Sequence, residues 1–330
     1  MTGPVPAEWS PHRAMWLGFP SHAALWKDDL DAAQDEVAAL AVALAGAGGE
    51  RVRLLAQAEG AKAASDRLAG TPGIEIIPAE FGDIWLRDTG PIFLTPGTAA
   101  AFAFNGWGGK YRLAGDETVA DQIAIAASAD LVRHPFVLEG GALDHDGAGA
   151  CLTTRQCLTN PNRNRRWREA DAEQALAGAL GVRKVIWLGD GLVNDHTDGH
   201  VDNLARFVAP GVACCPMAFG ADDPNAAVYD AAAATLARST DAGDRRLTVV
   251  RIPSPGRLID ADHRSVPGSH MNFLIANRAV VVPIYNERAG ELAMEALQMQ
   301  FPDRSIIGLS ARSLITGGGG FHCISQHEPA

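Results

Sequence analysis

The chain ends in "TGGGGFHCISQHEPA", where four glycines run into Phe321, His322 and Cys323. Glycine buries no side chain and loses the most backbone freedom on folding, so core packing does not ask for such a run. Glycines do let a substrate lie against the backbone. A cysteine nucleophile must be reachable, partly ionised and close to an acid/base group. A structural cysteine on a C-terminal strand is the plain alternative. Acid/base candidates lie far away in sequence, in "NDHTDGHVDN". Read as a strand, His200 and Asp202 share a face while Val201 turns to a core, which sets an imidazole beside a carboxylate. His196, His200 and Asp202 could instead ligate zinc or iron, or the segment could simply be a capped loop.

Two further stretches carry acids in unusual places. In "DIWLRDTGP", a strand reading points Trp85, Arg87 and Thr89 one way and Leu86 and Asp88 the other. An acid sharing a face with leucine is paired or functional; an Arg87–Asp88 surface pair or a turn cap before Gly90 also fits. "VLEGGALDHDG" sets Glu139 at the end of an apolar run, before glycines that allow close backbone approach or a simple turn. "FNGWGGKY" either lines a pocket or is a glycine turn packed by Trp107. Together these stretches supply one thiol, one imidazole and two or three carboxylates. A peptidase needs one acid to orient its histidine and donors for an oxyanion, which surplus carboxylates would repel. A planar guanidinium with five N–H donors matches carboxylates two at a time. The set points to C–N chemistry at a guanidinium carbon.

These residues need a frame that gathers them. Helical periodicity marks "DDLDAAQDEVAALAVALAGAGG", "DETVADQIAIAASAD", "READAEQALAGALG", "DPNAAVYDAAAATLARS" and "ERAGELAMEALQMQFP". Each is followed by a short apolar strand: "RVRLLA", "HPFVLEG", "RKVIWLG", "RLTVVRIP" and "SIIGLSA". The first unit has an extra helix, "EGAKAASDRLAG", and an extra strand, "GIEIIPA". After each unit a Gly-, Asp- or Pro-rich loop leads to a polar segment. Asp88, Glu139, His200, Asn272 and Cys323 mark these segments at intervals of roughly 50–70 residues. The economical inference is an α/β fold of five helix-plus-strands units set radially, each offering a polar strand end to a shared axis. An open doubly wound sheet is the rival. With no linker visible, residues 1–330 read as one domain.

Composition narrows the partners. The 330 residues are 47% hydrophobic and 20% charged, with net charge −11. That argues against nucleic acid and anionic membranes and mildly favours a cationic partner. No signal peptide or membrane span is read, so the expected location is the cytoplasm. Five cysteines without a CxxC pair fit reduced thiols. No phosphate-loop or dinucleotide fingerprint is present.

The set "GDIWLRDTGP", "LEGG", "DGHVDN", "NFLIAN" and "GGGGFHCI" resembles the agmatine deiminase and bacterial-type peptidylarginine deiminase family of guanidine-modifying enzymes, over nearly the whole chain and in order. The resemblance implies the five-bladed α/β-propeller (pentein) fold with pseudo-fivefold units around a central site. It implies hydrolysis of a small cationic guanidino compound to a ureido product and ammonia, with no metal and no organic cofactor, in a homodimer. Residue by residue it implies Cys323 as nucleophile, His200 as general acid/base, Asp88 and Asp202 on the guanidinium nitrogens, and Glu139 as a supporting acid. It places Trp85, Asn272 and Gly320 against the substrate. Agmatine deiminases carry an acid that reads the substrate's primary amine where this chain has His196, and the segment is one residue shorter here; His270 replaces a common tyrosine. A histidine at these positions suits a carboxylate or neutral tail. An amidinotransferase of the same superfamily and a metallohydrolase using His196, His200 and Asp202 remain the other readings. With agmatine as substrate, the setting would be putrescine synthesis.

Overall fold

The computed structural model describes residues 3–260 and 262–330. Among these, sixteen strands group into five sheets. Strands β1 (His12–Gly18), β2 (Val52–Ala56) and β3 (Ile74–Pro78) belong to the first; β4 (Ile92–Thr95), β5 (Thr98–Ala103) and β6 (Asp130–Val137) form the second. The third holds β7 (Asp144–His145), β8 (Ala150–Thr154) and β9 (Lys184–Leu188), and the fourth β10 (Arg206–Ala209), β11 (Val212–Met217) and β12 (Thr248–Pro253). The fifth holds β13 (Leu274–Ile275), β14 (Ala279–Ile284) and β15 (Ser305–Ser310), after which β16 (Ser325–Pro329) returns to the first sheet beside β1.

One plan repeats five times. Two antiparallel strands are followed by a helix that crosses to a third strand, parallel to the second. In the first sheet the antiparallel pair is β16 with β1, in register from His12 opposite Pro329 to Leu17 opposite Ser325, and β2 is the parallel partner. The five crossing helices are Leu30–Ala45, Val119–Ala127, Glu169–Leu180, Ala226–Arg238 and Glu287–Gln298. The extra helix Ala58–Leu68 leads to β3, which only widens the first sheet. This is the pentein arrangement of five units about a central site, and among the described residues no single open sheet forms.

Local sequence explains the elements. In Leu30–Ala45 the buried Val37, Leu40, Ala41 and Leu44 recur at helical spacing, and the run ends in glycines. Gly181, at φ 65°, ends Glu169–Leu180 in the left-handed conformation that glycine adopts without strain. Strand β14, "AVVVPI", is covered on both faces, so it reads as continuous β-branched residues instead of alternating ones. Helices and sheets bury apolar clusters between them, as where Leu152, Ile186 and Leu188 meet Ala232 and Leu236. The interior also holds Glu8, Arg87, Asp144, Arg206 and His322, all buried. Among the described residues no helix is long and apolar enough to cross a membrane.

The marker residues do not lie on strands. Asp88 sits in a helical turn, Leu86–Thr89, closed by Asp88 N–H and Thr89 N–H to Trp85 O at 3.0 and 3.1 Å. Glu139 and His200 each lead into a 3-10 turn, Gly140–Ala142 and Val201–Asn203. The alternating-face argument for Trp85 to Thr89, and that for His200 and Asp202, is therefore corrected. A turn lets one short segment present consecutive polar groups inward, which a pleated strand cannot do. Each of the five markers precedes the first strand of a sheet, so the five positions are equivalent in the plan.

Candidate active site

Cys323 is buried beside the cavity wall. Its sulfur lies 3.6 Å from Asp202 Oδ2 and accepts from Asn272 Nδ2 at 3.1 Å. Asn272 donates its other amide hydrogen to Asn203 Oδ1 at 3.0 Å. Its Oδ1 accepts from the backbone N–H of His322 and Cys323 at 2.9 and 3.2 Å. The Asn272 amide is thus committed to holding the nucleophile's turn. Gly320 packs on the same amide, where a Cβ would stand 2.7 Å from Asn272 Oδ1. Burial pushes the Cys323 thiol well above its usual pKa, and the Asp202 and Asp88 carboxylates push it further; the Gly320 N–H and the Asn272 amide oppose them.

The imidazole of His200 is fully buried between two acids. Nδ1 is 3.7 Å from Asp88 Oδ1 and Nε2 is 4.0 Å from Glu139 Oε2. Burial alone would lower its pKa, but Asp88, the Cys157 thiol and Glu139 together hold it well above the usual value. Asp88 Oδ2 accepts from Trp107 Nε1 at 2.9 Å and Oδ1 from Gly141 N–H at 3.0 Å. Burial raises the Asp88 pKa, Asp202 adds to this, and His200, the Trp107 indole and the Gly141 N–H work against it. Asp202 runs the other way: its burial is outweighed by His322, His200 and Arg206, which hold it below the usual range. Both ring nitrogens of His200 and Oδ1 of Asp202 are buried with no hydrogen-bond partner. Orphaned buried polar atoms are costly, and three of them converging here mark the place for a polar ligand.

Glycine is needed where these groups meet. A Cβ on Gly141 would stand 2.5 Å from His200 Nδ1, 2.9 Å from Asp88 Oδ1 and 3.2 Å from Asp202 Oδ2. The Gly141→Ala variant should therefore fold with displaced site residues and lose roughly 10²-fold in kcat/KM, because about 1 Å of misplacement costs that much. Steady-state kinetics with a circular-dichroism check of folding would settle it. The C-terminal glycines answer to the same rule. Cβ atoms on Gly317 and Gly319 would stand 2.6 Å from the Trp26 and Trp85 rings, and one on Gly318 would strike His196. The loop lies flat on the cavity wall, with Gly318 at φ 110°.

The cavity beside it holds about 480 Å³ and is lined by Trp26, Asp83, Trp85, Trp107, Tyr111 and His196, with Lys27, Asp28 and Asp29 also on its lining. Asp83 accepts from Trp26 Nε1 at 3.0 Å and Trp85 Nε1 at 2.8 Å, fixing the two indoles as a stacked wall. Trp107 is held at φ 52°, an uncommon backbone for a bulky residue, while its N–H reaches Asp88. His196 packs edge-on to Trp107 and Tyr111, and burial lowers its pKa. His270 is not among the lining residues. It is buried against Tyr285, bonded to Pro253 O at 2.8 Å, and burial takes its pKa down to about 4.

His196, His200 and Asp202 do not assemble as a ligand set. His196 faces the aromatic wall and Asp202 Oδ2 is taken by His322 Nδ1 at 2.8 Å. The trio of metal-ligating donors within 4.8 Å of one another among the described residues is Glu139, Cys157 and His200. There Arg163 Nε already donates to Glu139 Oε1 at 2.8 Å, and a guanidinium beside the donors disfavours a cation. Sequence reasoning missed Glu8, Arg163, Arg206 and the role of His322. Arg87 is no surface partner of Asp88: it is buried and donates to His322 O, Ser325 Oγ and Gln326 Oε1. The arginine of "NPNRNR" and the histidine beside Cys323 were visible as letters, but nothing local says that they meet acids from other units.

Residues 4–329 match the family model for Porphyromonas-type peptidyl-arginine deiminase. Agmatine deiminase of Stutzerimonas stutzeri is 36% identical over 356 residues, which cover 99% of this chain and 95% of that one. In structure the chain is similar to the agmatine deiminase of Enterococcus faecalis, with a TM-score of 0.92, 31% identity, and 99% and 95% of the two chains covered. It is also similar to a C. jejuni agmatine deiminase with a cysteine-to-serine change and substrate bound, with a TM-score of 0.89, 25% identity, and 100% and 97% covered. The chain belongs to the Porphyromonas-type peptidyl-arginine deiminase family, among relatives that include agmatine deiminases.

Proposed function

We propose that this protein hydrolyses the guanidinium group of a small alkylguanidine, agmatine first among them, to the ureido compound and ammonia. One observation carries the reading. The Cys323 thiol shares a carboxylate with a buried constellation whose free atoms are Asp202 Oδ1 and both nitrogens of His200. A guanidinium would satisfy the carboxylate and be held with its carbon over the sulfur. Asp88 and Asp202 grip its nitrogens, and Trp85 and Trp107 line the alkyl chain. The cavity lining also carries exposed Asp28 and half-buried Asp29. Against the single cation Lys27 on the same lining, these two leave net anionic charge for a terminal amine that His196 does not supply, which favours agmatine over a guanidino acid.

The free enzyme holds a neutral thiol and a charged imidazole, so the substrate's own cation offsets the two carboxylates that oppose ionisation of Cys323. As the cation binds, the thiol releases its proton to solvent, and the thiolate bonds to the guanidinium carbon while the C=N π pair moves onto nitrogen, giving a neutral tetrahedral adduct. His200 donates its proton to the departing nitrogen, the C–N bond breaks, and ammonia leaves an S-alkylthiouronium. His200, now neutral, takes a proton from water as the water adds to the same carbon. Collapse of this second adduct breaks the C–S bond, the adduct's hydroxyl proton passes to the departing sulfur, and the ureido product leaves with the neutral thiol restored. No step calls for a metal or organic cofactor. The supporting Glu139 is anchored by Arg163 and faces His200, so it holds the ring's orientation and charge. One domain over residues 1–330, in the cytoplasm and serving putrescine synthesis, is the setting that goes with this reading.

The test is a panel of agmatine, arginine, short guanidino acids and an arginyl peptide, assayed for ammonia and ureido product without any added amine. Agmatine should exceed the others by at least roughly 10²-fold in kcat/KM. Turnover that requires ornithine or glycine as acceptor would make the protein an amidinotransferase and overturn the reading.

A further inference from the structure

Asp202 is held from behind by a residue that the proposed chemistry does not use. Its Oδ2 is 2.8 Å from His322 Nδ1, and His322 Nε2 is 2.9 Å from Glu8 Oε2. Glu8 accepts from Arg206 Nη2 and from Ile275 N–H, each at 2.8 Å, and lies 3.6 Å from Arg87 Nη2. Arg206 also pairs with Asp144 and donates to Phe273 O at 2.9 Å. Glu8, Asp202, Arg206 and His322 are all buried. Arg206 and His322 hold the Glu8 carboxyl well below its usual pKa against the effect of burial. The ring thus bridges the two carboxyl groups, one nitrogen to each.

We propose that His322 is a positioning residue for the reaction: its bond to Asp202 Oδ2 fixes that carboxylate's plane, leaving Oδ1 free for the guanidinium. Glu8 plays the same part for His322, turning the ring so that Nδ1 meets Asp202. This rests on the deiminase reading above. The arrangement explains how two acids in one buried site divide. Asp88, whose histidine stands off at 3.7 Å without a hydrogen bond, is pushed up by burial, while Asp202 is held down. The groups facing Asp202 are His322 and Cys323 from the nucleophile's turn, His200 and Arg206 from its own side, Arg87 and Asp88 from the Leu86–Thr89 turn, and Tyr285 after β14. Of these, two hydrogen-bond Asp202 Oδ2, His322 Nδ1 at 2.8 Å and the Cys323 thiol at 3.6 Å, and His322 is the nitrogen partner.

The experiment compares His322→Ala, His322→Asn and Glu8→Gln with the wild type, once the wild type has been shown to release ammonia from agmatine. Absence of that wild-type activity would sink the deiminase reading and this proposal with it, whereas an active wild type with pH-independent variant ratios would sink this proposal alone. The readout is the ratio of variant to wild-type kcat/KM between pH 6 and pH 8.5, with kcat and KM resolved. In His322→Ala the Asp202 carboxyl should regain protons as pH falls, so the ratio should drop by roughly another tenfold toward pH 6, mostly through KM. His322→Asn keeps a donor where Nδ1 was and should recover most of KM with a flatter ratio. Glu8→Gln should fall between them. A ratio independent of pH in all three variants, or a loss confined to kcat, would overturn the proposal and leave His322 a packing residue. Should His322→Ala fail to fold, the contrast between His322→Asn and Glu8→Gln decides the matter.

Discussion

Ammonia release from agmatine by the Cys323→Ala protein is expected to fall at least roughly 10⁴-fold, to the background of the assay, with binding retained. The carboxylates that grip the cation do not depend on the sulfur: Asp88 is held by Trp107 and Gly141, and Asp202 by His322. The thiol carries the bond-making and little of the binding, so its removal separates the two. Cys323→Ser should be as inert, since a serine hydroxyl is a far weaker nucleophile with no base poised to take its proton. Calorimetric titration of either variant should show one agmatine per chain. Turnover near the wild-type rate from Cys323→Ala would refute the nucleophile, whatever happened to binding.

The second large effect is expected at His200. The His200→Ala protein should lose roughly 10³- to 10⁴-fold in kcat, because the ring serves twice, as proton donor to the leaving nitrogen and as base toward water. Hydrolysis should suffer more than attack, since water has no other base so placed. Intact-protein mass spectrometry after mixing with agmatine should therefore reveal a covalent adduct mapped to Cys323. The pH profile offers a second check. Asp88, Cys157 and Glu139 raise the His200 pKa against burial, so the imidazolium persists above the usual histidine range and is lost only as pH climbs through that raised value. Wild-type activity should decline on the alkaline side for this reason, and the decline should be absent from the residual activity of His200→Ala. An unchanged alkaline limb would assign it to another group.

How much of this was legible beforehand depends on how local each signal is. The helices and the strands after them announce themselves through periodicity and glycine stops, as at Leu30–Ala45 and Val52–Ala56. The order of Asp88, Glu139, His200, Asn272 and Cys323 gave the count of five. The turns carrying these residues were misread as strands, because "DIWLRDT" and "HVDN" lack the apolar pattern that would separate the two, and tertiary partners settle the backbone there. Asn272 was visible, but nothing in "NFLIAN" tells that its amide meets sulfur. The Glu8, Arg206 and His322 network was invisible for a different reason. Its members come from segments as much as 314 residues apart, and each letter alone reads as an ordinary surface charge.

The pairing of β16 with β1 also bears on the order of events during folding. It joins segments more than 300 residues apart in sequence, as with His12 opposite Pro329. Loop-closure entropy makes so distant a pairing the last to be rewarded, after the nearer hairpins have formed. The sulfur sits two residues ahead of the strand that performs this final docking. A partly folded chain with an open seam should thus be unable to expose an assembled, reactive thiol, and catalytic competence should arrive together with closure in a refolding time course.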